Sequence, residues 1–515
     1  MNQSRTENNK RIAKNTLLLY FRMLLIMGSN LYIARVLLNS LGVEDYGVYN
    51  VVGGVVAMLG FISSSLSAAS SRFITFALGI GNFENQKRLF ANIQAIHLLF
   101  ALAIVLLAET LGLWFLNNYI QVPLGRENAA FWVFHFSAIT AALSIITVPY
   151  NATIIANERM DAFAYISILD AFLKLSIVLS LSLVGFDKLI FYALLLCVAQ
   201  ATIQFIYIIY CKRHFKETLV IPRININVFR EIVSFAGWTM NGNLAIIGNT
   251  QGLNILLNMF FGPAVNAARA VAVQVQTAIQ SFCVNFQMAL NPQLTKSYAQ
   301  GDYTHMHQLL IASSKFSYFL IFFLSLPACL EAPIVLKWWL GIVPDYTVTF
   351  LRLIIWTSLI GALSNPIIIS VHATGTIKKF QLIEGCTLLL TVPLAYAGLK
   401  IYSLPPEFVF IVLILVEAIT QYVRLRIVLP MIYMNMGPYI KDVLLPLLKV
   451  TVTAPIIPLI VYLNCELNTL NFFIICTLCV ISCSTSIYLL GCTSAERLFI
   501  SSKVKMLLLK LKINH

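Results

Sequence analysis

Charged side chains are scarce in this sequence. They make up 11% of its 515 residues, against 59% hydrophobic residues, whereas a soluble domain carries ~25% charged residues. So few charges cannot cover the surface of a soluble protein of this length, and a water-soluble enzyme is therefore excluded. The mean hydropathy of +0.83 is typical of a chain that crosses a membrane many times.

Motifs for nucleotide hydrolysis, nucleophilic catalysis and metal binding are missing as well. The sequence contains no phosphate-binding P-loop and no polar segment long enough for an ATPase domain. Cys476, Cys479 and Cys483 have a ligand-like spacing, but they lie in an apolar segment without His, so we interpret them as apolar core residues. We expect no enzymatic activity and no cofactor, apart from H⁺ or Na⁺ as a coupling ion.

Long apolar segments recur along the whole chain, each near the ~20 residues that a helix needs to cross a bilayer. The fourteen segments lie at roughly 17–38, 46–70, 89–116, 129–150, 162–184, 189–210, 232–257, 266–291, 309–335, 347–371, 380–399, 407–428, 443–463 and 470–491. The seventh and eighth segments are rich in Asn, Gln and Gly, so hydropathy alone leaves twelve or fourteen spans open.

An internal repeat favours fourteen spans. The sequence aligns with itself at an offset of 220 residues, without gaps, over the beginning of each half. The coincident glycines are Gly28 with Gly248, Gly42 with Gly262, and Gly81 with Gly301. Spans seven and eight are therefore the counterparts of spans one and two. Because the repeat holds six spans, both copies keep the same orientation, which predicts an all-α protein with two six-helix bundles in parallel repeat around a central cavity.

The predicted domains follow from the spans and the repeat. They are a cytoplasmic N-terminus at 1–14, an N-terminal six-helix bundle at 15–211, a basic cytoplasmic linker at 212–230, a C-terminal six-helix bundle at 231–428, two additional transmembrane helices at 441–491 and a basic cytoplasmic tail at 492–515.

Basic residues outnumber acidic ones, with 35 Lys and Arg against 21 Asp and Glu and a net charge of +14. If the N-terminus is cytoplasmic, 23 basic residues lie in cytoplasmic segments, Arg424 and Arg426 among them, and four lie in outer loops. This asymmetry predicts cytoplasmic N- and C-termini. The anionic inner leaflet then accounts for the net charge, and no nucleic-acid partner is needed.

Polar side chains inside the apolar segments are candidates for a binding site, because a central Arg or Asp costs ~2.5–3.5 kcal/mol on insertion scales. In span eight, Arg269 and the amides of Gln276, Gln280, Gln287 and Asn291 fall within an arc of ~60° on an ideal helix. One face of this span is therefore polar. Two interpretations stay open: the face lines a cavity, or its amides join helices by hydrogen bonds.

Spans one and seven contribute further polar residues. Arg22 lies within span one, and Arg35 lies near its outer end, where a side chain that snorkels to the interface is an equal alternative. Asn243 and Asn254 share one face of span seven. The candidate substrate-binding residues are Arg22, Arg35, Arg269, Gln276, Gln280, Asn243 and Asn254.

The chemistry of this set predicts an anionic ligand. Arg side chains match phosphate oxygens bidentately, and Asn and Gln amides match sugar hydroxyls. In span five, Asp170 and Lys174 are four residues apart, so they can pair on one helix face. That pair is either a structural neutraliser or an ion-coupling site that exchanges H⁺ or Na⁺.

Two groups of short motifs carry a family resemblance. They are residues 41–54 (LGVEDYGVYNVVGG), 71–73 (SRF) and 79–82 (GIGN) in the first half, and 261–269 (FGPAVNAAR), 285–287 (NFQ), 290–292 (LNP) and 296–298 (KSY) in the second. With these motifs the chain resembles the polysaccharide-repeat flippases, the O-antigen or Wzx-type branch of the MOP (MATE-like) exporter superfamily. The resemblance covers most of the chain.

The resemblance implies transport of an undecaprenyl-diphosphate-linked oligosaccharide from the cytoplasmic to the periplasmic leaflet of the bacterial inner membrane. The oligosaccharide would be a repeat unit of O-antigen, capsule or exopolysaccharide. The resemblance also implies a cationic cavity that opens alternately to each side, coupling to an ion gradient, and partners among membrane lipids and the polysaccharide polymerase and glycosyltransferases of the same pathway.

Two other functions remain open. A MATE-like multidrug or cation antiporter would need acidic residues in the N-terminal half, where Asp170 is the one good candidate. A membrane polysaccharide polymerase would need a large outer loop, but the longest predicted outer loops, at 117–128 and 336–346, are too short to house a catalytic domain.

Overall fold

A computed structural model describes residues 15–30, 60–119, 125–183, 185–340, 343–464 and 468–498, together with residues 32–33, 36–37, 40–41, 45, 48–49, 52 and 501. Within these ranges the chain is almost entirely helical, and no strand occurs there. The predicted all-α polytopic fold is confirmed.

Nineteen α-helices are numbered here in chain order. They are α1 (15–30), α2 (Gly60–Ile80), α3 (Phe83–Leu107), α4 (Leu113–Tyr119), α5 (Glu127–Ala156), α6 (Met160–Ser180), α7 (Lys188–His214), α8 (Ile226–Ala299), α9 (Tyr303–Leu330), α10 (Ala332–Leu340), α11 (Thr347–Gly361), α12 (Ser364–Thr374), α13 (Lys378–Leu389), α14 (Thr391–Tyr402), α15 (Glu407–Met431), α16 (Met436–Tyr439), α17 (Leu445–Thr453), α18 (Ile456–Asn464) and α19 (Thr469–Ser486). Short π-helical turns at Ala108–Gly112, Ile440–Leu444 and Ile487–Gly491 adjoin α3, α17 and α19.

Eleven helical stretches in the described ranges are long and apolar enough to cross a membrane. They match the third to seventh and the ninth to fourteenth predicted spans. The first two predicted spans fall partly on residues outside the described ranges. The eighth predicted span lies in the second part of α8. This part is helical, but it is not among the eleven apolar stretches, because its many Gln and Asn residues lower its hydropathy.

Contacts divide the chain into two compact units. The first unit consists of Met1–Leu244, Met288–Met306 and His372–Leu382. At its centre α5 packs against α2, α3 and α7, and Val133, Phe134 and Ala138 on α5 are fully buried in this core.

The second unit consists of Ala245–Gln287, His307–Val371 and Ile383–His515. Here α15 packs against α11 and α14. The rings of Phe350 on α11 and Phe410 on α15 lie with their centroids 4.5 Å apart, so aromatic contact helps to fix this helix pair.

Two of the coincident glycines in the repeat have the same structural role. Gly81 follows α2 with a φ of 79°, and Gly301 follows α8 with a φ of 72°, a left-handed conformation that glycine adopts at low cost. Asn82 then accepts a hydrogen bond from the Asn85 amide, and Asp302 accepts one from the His305 amide. Each copy of the repeat therefore ends one helix on glycine and starts the next with a capping side chain.

The helix α8 reverses direction at Gly262. The φ of 80° and ψ of −176° of this residue lie in a region that is essentially restricted to glycine. Arg269 contacts Asn254, which is 15 residues earlier in the chain, although a straight helix would separate the two by about 22 Å. The helical segments directly before and after Gly262 are therefore antiparallel.

This reversal predicts that Gly262→Ala destabilises the protein by ~1–3 kcal/mol, because alanine is strained at this φ and ψ. The measurement is thermal unfolding of the purified protein in detergent. Gly237→Ala is the matched control, since Gly237 lies in the same helix with open space around it and alanine favours a helix. If both variants unfold like the unmodified protein, the reversal does not depend on glycine.

Candidate functional site

Arg269 is a buried cation for which the described residues provide no acidic partner. It is 6% exposed, and its guanidinium donates through Nη1 to Asn254 Oδ1 and through Nη2 to the Thr250 carbonyl oxygen at 3.4 Å. The turn at Gly262 brings these groups together. No ion pair of the described residues includes Arg269. Its positive charge is thus held by neutral acceptors alone, which leaves it available to an anion.

The glutamines on the same helix face have protein partners. Gln276 and Gln280 both donate through Nε2 to Ser358 Oγ on α11, at 2.8 and 3.3 Å. Gln287 donates to Ser317 Oγ and to the Ala362 carbonyl. These are the contacts expected of amides that join helices. A substrate-binding role for Gln276 and Gln280 stays a prediction.

Arg22 is a partly buried cation of the first unit. Its Nη1 lies 3.4 Å from Ser167 Oγ, and its guanidinium carbon lies 4.5 Å from the centre of the Phe163 ring. Its Nε is buried without a hydrogen-bond partner, and it takes part in none of the ion pairs found in the described ranges. This side chain therefore keeps donor capacity that the protein does not use.

The remaining predicted binding residues are placed as follows. Asn243 donates to Ser64 Oγ at 3.3 Å and to Ser65 Oγ at 3.0 Å, so it joins α8 to α2 in the first unit. Asn254 accepts from Arg269 and donates to Gln251 Oε1. Arg35 lies outside the described residues.

Asp170 and Lys174 form an ion pair on α6. Their Oδ2 and Nζ atoms are 2.7 Å apart, and Asp170 Oδ1 is buried without a partner. Pairing with a half-exposed lysine neutralises the carboxylate, and both roles offered for the pair, structural and ion-coupling, remain predictions.

The second unit contains a buried charged cluster that the sequence analysis did not predict, although two of its acids, Glu384 and Glu417, lie in predicted spans eleven and twelve. We call Arg424, Glu384 and Glu417 the α15 triad. Arg424 Nε donates to Glu384 Oε1 and its Nη1 to Glu417 Oε1, both at 2.6 Å. Ser364 and Gln421 complete the network, each through an oxygen that accepts from Arg424.

The structure shows that Arg424, which the charge count assigned to a cytoplasmic segment, lies near the end of α15 and is 4% exposed. Its cytoplasmic assignment stays a prediction. The signal for the triad was present in the sequence, because Glu417 and Arg424 are two helical turns apart and so share a face. Glu384 comes from a different helix, and no local pattern could bring it to this face.

Glu158 is a second buried acid that the sequence did not single out. It has a φ of 59° and accepts hydrogen bonds from Lys296 Nζ at 2.9 Å and Gln293 Nε2 at 3.2 Å. Its carbonyl oxygen lies 3.4 Å from Asn15 Nδ2. These contacts tie the turn between α5 and α6 to the end of α8, within the first unit.

Comparisons with known proteins place the fold. No family model and no curated protein matches the sequence. Among solved structures, an outward-facing multidrug resistance MATE family transporter of the MOP superfamily is 14% identical, with a TM-score of 0.69 over 83% of this chain and 96% of that chain. The MATE transporter ClbM in complex with Rb⁺ is 15% identical, with a TM-score of 0.66 over 81% of this chain and 94% of that chain.

A third similar structure is a MOP superfamily transporter from Pyrococcus furiosus Vc1 (DSM3638), reported with a binding pocket of reverse polarity that suggests a different function. It is 14% identical, with a TM-score of 0.67 over 83% of this chain and 96% of that chain. The fold of this chain is therefore that of the MATE transporters of the MOP superfamily.

Proposed function

We propose that the chain is a membrane transporter that moves an undecaprenyl-diphosphate-linked oligosaccharide from the cytoplasmic to the periplasmic leaflet by alternating access. The observation that carries this proposal is the buried guanidinium of Arg269, which has amide and carbonyl partners and no acidic partner in the part of the chain that the structure describes. A buried charge without a counterion is costly. A diphosphate would supply the missing negative charge and accept hydrogen bonds from both terminal nitrogens of the guanidinium.

Arg22 in the first unit is a second candidate for binding an anion. Its Nε has no partner, and Ser167 beside it is neutral. An anionic group could accept a hydrogen bond from this nitrogen. Asn243 in the first unit and Asn254 in the second carry amides, which match sugar hydroxyls.

The main alternative is a MATE-like multidrug or cation antiporter. Its binding site would need a free acid in the first half, but Asp170 is already paired with Lys174 at 2.7 Å. The Pyrococcus furiosus protein is reported to have a pocket of reverse polarity, so the charge of the ligand site differs among proteins of this fold. Cations without an acidic partner among the described residues favour an anionic ligand here. A membrane polysaccharide polymerase would need a large outer loop, and the longest predicted outer loops, at 117–128 and 336–346, are too short for one.

The proposal places the chain in the bacterial inner membrane, with both termini in the cytoplasm. The polymerase and glycosyltransferases of the same polysaccharide pathway would act on its product and supply its substrate. Reporter fusions test the orientation: we expect a cytoplasmic reporter to be active at both ends of the chain. A reporter active only outside the membrane at the C-terminus would contradict fourteen spans.

Deletion of the gene tests the transported substrate. We expect lipid-linked repeat units to accumulate on the inner leaflet and surface polysaccharide to be lost, because the undecaprenyl-diphosphate headgroup cannot cross unaided. The measurements are extraction of lipid-linked oligosaccharides and detection of surface polysaccharide. Normal polysaccharide together with new sensitivity to cationic drugs would favour the antiporter instead.

A further inference from the structure

The α15 triad is a charged cluster enclosed within membrane helices of the second unit. Its three charged groups come from α13, which carries Glu384, and from α15, which carries Glu417 and Arg424. The third helix at the cluster, α12, contributes the neutral hydroxyl of Ser364, which lies 2.7 Å from Arg424 Nη1. The cluster therefore holds two carboxyl groups and one guanidinium.

Charge balance decides the protonation of this cluster. With all three groups ionised, the cluster would carry a net charge of −1 in a low-dielectric interior, where an uncompensated charge is strongly unfavourable. One carboxyl group must hold a proton, or a further cation must join. Arg424 already lies between the two acids, with Nε on one and Nη1 on the other at 2.6 Å. The position that a metal ion would take is occupied.

Within the described ranges, neighbouring charges do not supply the missing positive charge. Glu384 faces Arg424 and Glu417, and Arg424 faces the same two carboxyl groups. On the other helices packed on α15, Arg352 of α11 donates to the Cys329 carbonyl, and Lys400 of α14 lies over the Tyr396 ring. At the start of α13, Lys378 and Lys379 are exposed.

The side-chain amide of Gln421 can make one more hydrogen bond beside the triad. It is 6% exposed, and its Oε1 accepts from Ser364 and Arg424, whereas its Nε2 is buried without a partner. An unused donor in such a position suits a water molecule, which can carry a proton to or from a carboxyl group.

We propose that the α15 triad is a proton-binding site and that exchange of its proton couples transport to a proton gradient. The Glu417 side chain is 14% exposed and that of Glu384 is 7% exposed, so Glu417 is the more accessible of the two carboxyl groups. In the protonated state, one carboxyl group is neutral beside an ion pair between Arg424 and the other. In the deprotonated state, the cluster is anionic and favours rearrangement of α12, α13 and α15. The link to transport rests on the proposed function, but proton binding itself does not.

Infrared difference spectroscopy on the purified protein tests proton binding directly. We expect a carboxylic-acid C=O band whose intensity changes with pH. Glu417→Gln should abolish this band and still fold, because the amide keeps the shape and leaves Arg424 paired with Glu384. Glu84→Gln, at an exposed glutamate that pairs with Lys87, should leave the band intact. Absence of the band from the unmodified protein would overturn the proposal without any variant.

Flipping in liposomes tests the coupling. An imposed pH gradient should stimulate flipping by the unmodified protein and should give no stimulation with Glu417→Gln, while a sodium gradient should have no effect on either. Full stimulation of Glu417→Gln by the pH gradient, or sodium stimulation that this variant loses, would overturn the proton site and leave the proposed function standing. If the unmodified protein flips no lipid-linked oligosaccharide under any gradient, the proposed function fails, and the infrared result still decides whether the triad binds a proton.

Discussion

Replacement of Arg269 with alanine is expected to lower the rate of oligosaccharide flipping by about 30-fold or more. Removal of one partner from a desolvated charge pair costs ~2–5 kcal/mol, and each ~1.4 kcal/mol corresponds to a factor of ten. Arg269→Lys should retain an intermediate rate, because lysine keeps the charge but cannot form the bidentate fork. The measurement is flipping of a lipid-linked oligosaccharide by protein reconstituted into liposomes.

The stability of Arg269→Ala separates a ligand role from a structural one. Arg269 is buried without an acidic partner, so its removal relieves an uncompensated charge, and the unfolding temperature should stay the same or rise. Arg426→Ala is the matched control, since Arg426 is exposed and donates to Tyr422 Oη on the same helix. A variant that inserts stably and flips at the normal rate would show that Arg269 does not bind the diphosphate.

Disruption of the α15 triad is expected to have the largest effect on stability. Arg424→Met should lower the free energy of unfolding by ~3–5 kcal/mol, because it leaves Glu384 and Glu417 facing each other in a buried site without their cation. The measurement is thermal or denaturant unfolding in detergent micelles, monitored by tryptophan fluorescence.

A triple variant shows whether the loss comes from charge. Arg424→Met combined with Glu384→Gln and Glu417→Gln has no buried charge left at the triad, so most of the stability should return. Lys400→Met is a control, because Lys400 is exposed at the end of α14. A triple variant that is no more stable than Arg424→Met would mean that packing of the arginine side chain, and not charge balance, holds these helices together.

The helical fold could be predicted because membrane spans leave a strong local signal. Apolar runs of bilayer length identify the helices one at a time. The glycines that established the repeat were not predicted to be turns, but three of them lie where the chain turns. Gly81 and Gly301 both have a positive φ, and Gly262 has one where α8 reverses. These residues report backbone conformation, which the local sequence determines.

The partners of the polar residues could not be predicted in the same way. Helical periodicity placed Gln276 and Gln280 on the face of Arg269, but it could not show that Ser358, on a helix 78 or more residues further along the chain, accepts from both. A hydrogen bond between helices depends on tertiary packing, which no single helix encodes. Periodicity identifies which residues share a face and does not identify what the face contacts.

The ion-pair partners of a charged residue cannot be predicted from the local sequence either, as Arg424 shows. Near the end of an apolar segment it looked like one more cytoplasmic anchor, because snorkelling arginines and buried arginines have the same local sequence. Only the approach of Glu384 from α13, at 2.6 Å, distinguishes the two. Buried ion networks in membrane proteins therefore need the fold before they can be recognised.

Flipping by the purified protein tests the central claim most directly. Liposomes containing the protein and a fluorescent undecaprenyl-diphosphate-linked oligosaccharide are treated with a membrane-impermeant quencher or glycosidase, and the protected fraction is followed with time. We expect the protected fraction to fall rapidly with the unmodified protein and slowly with Arg269→Ala. A protected fraction that does not change with the unmodified protein, while the same liposomes exchange a cationic dye for protons, would contradict a flippase and identify a cation antiporter.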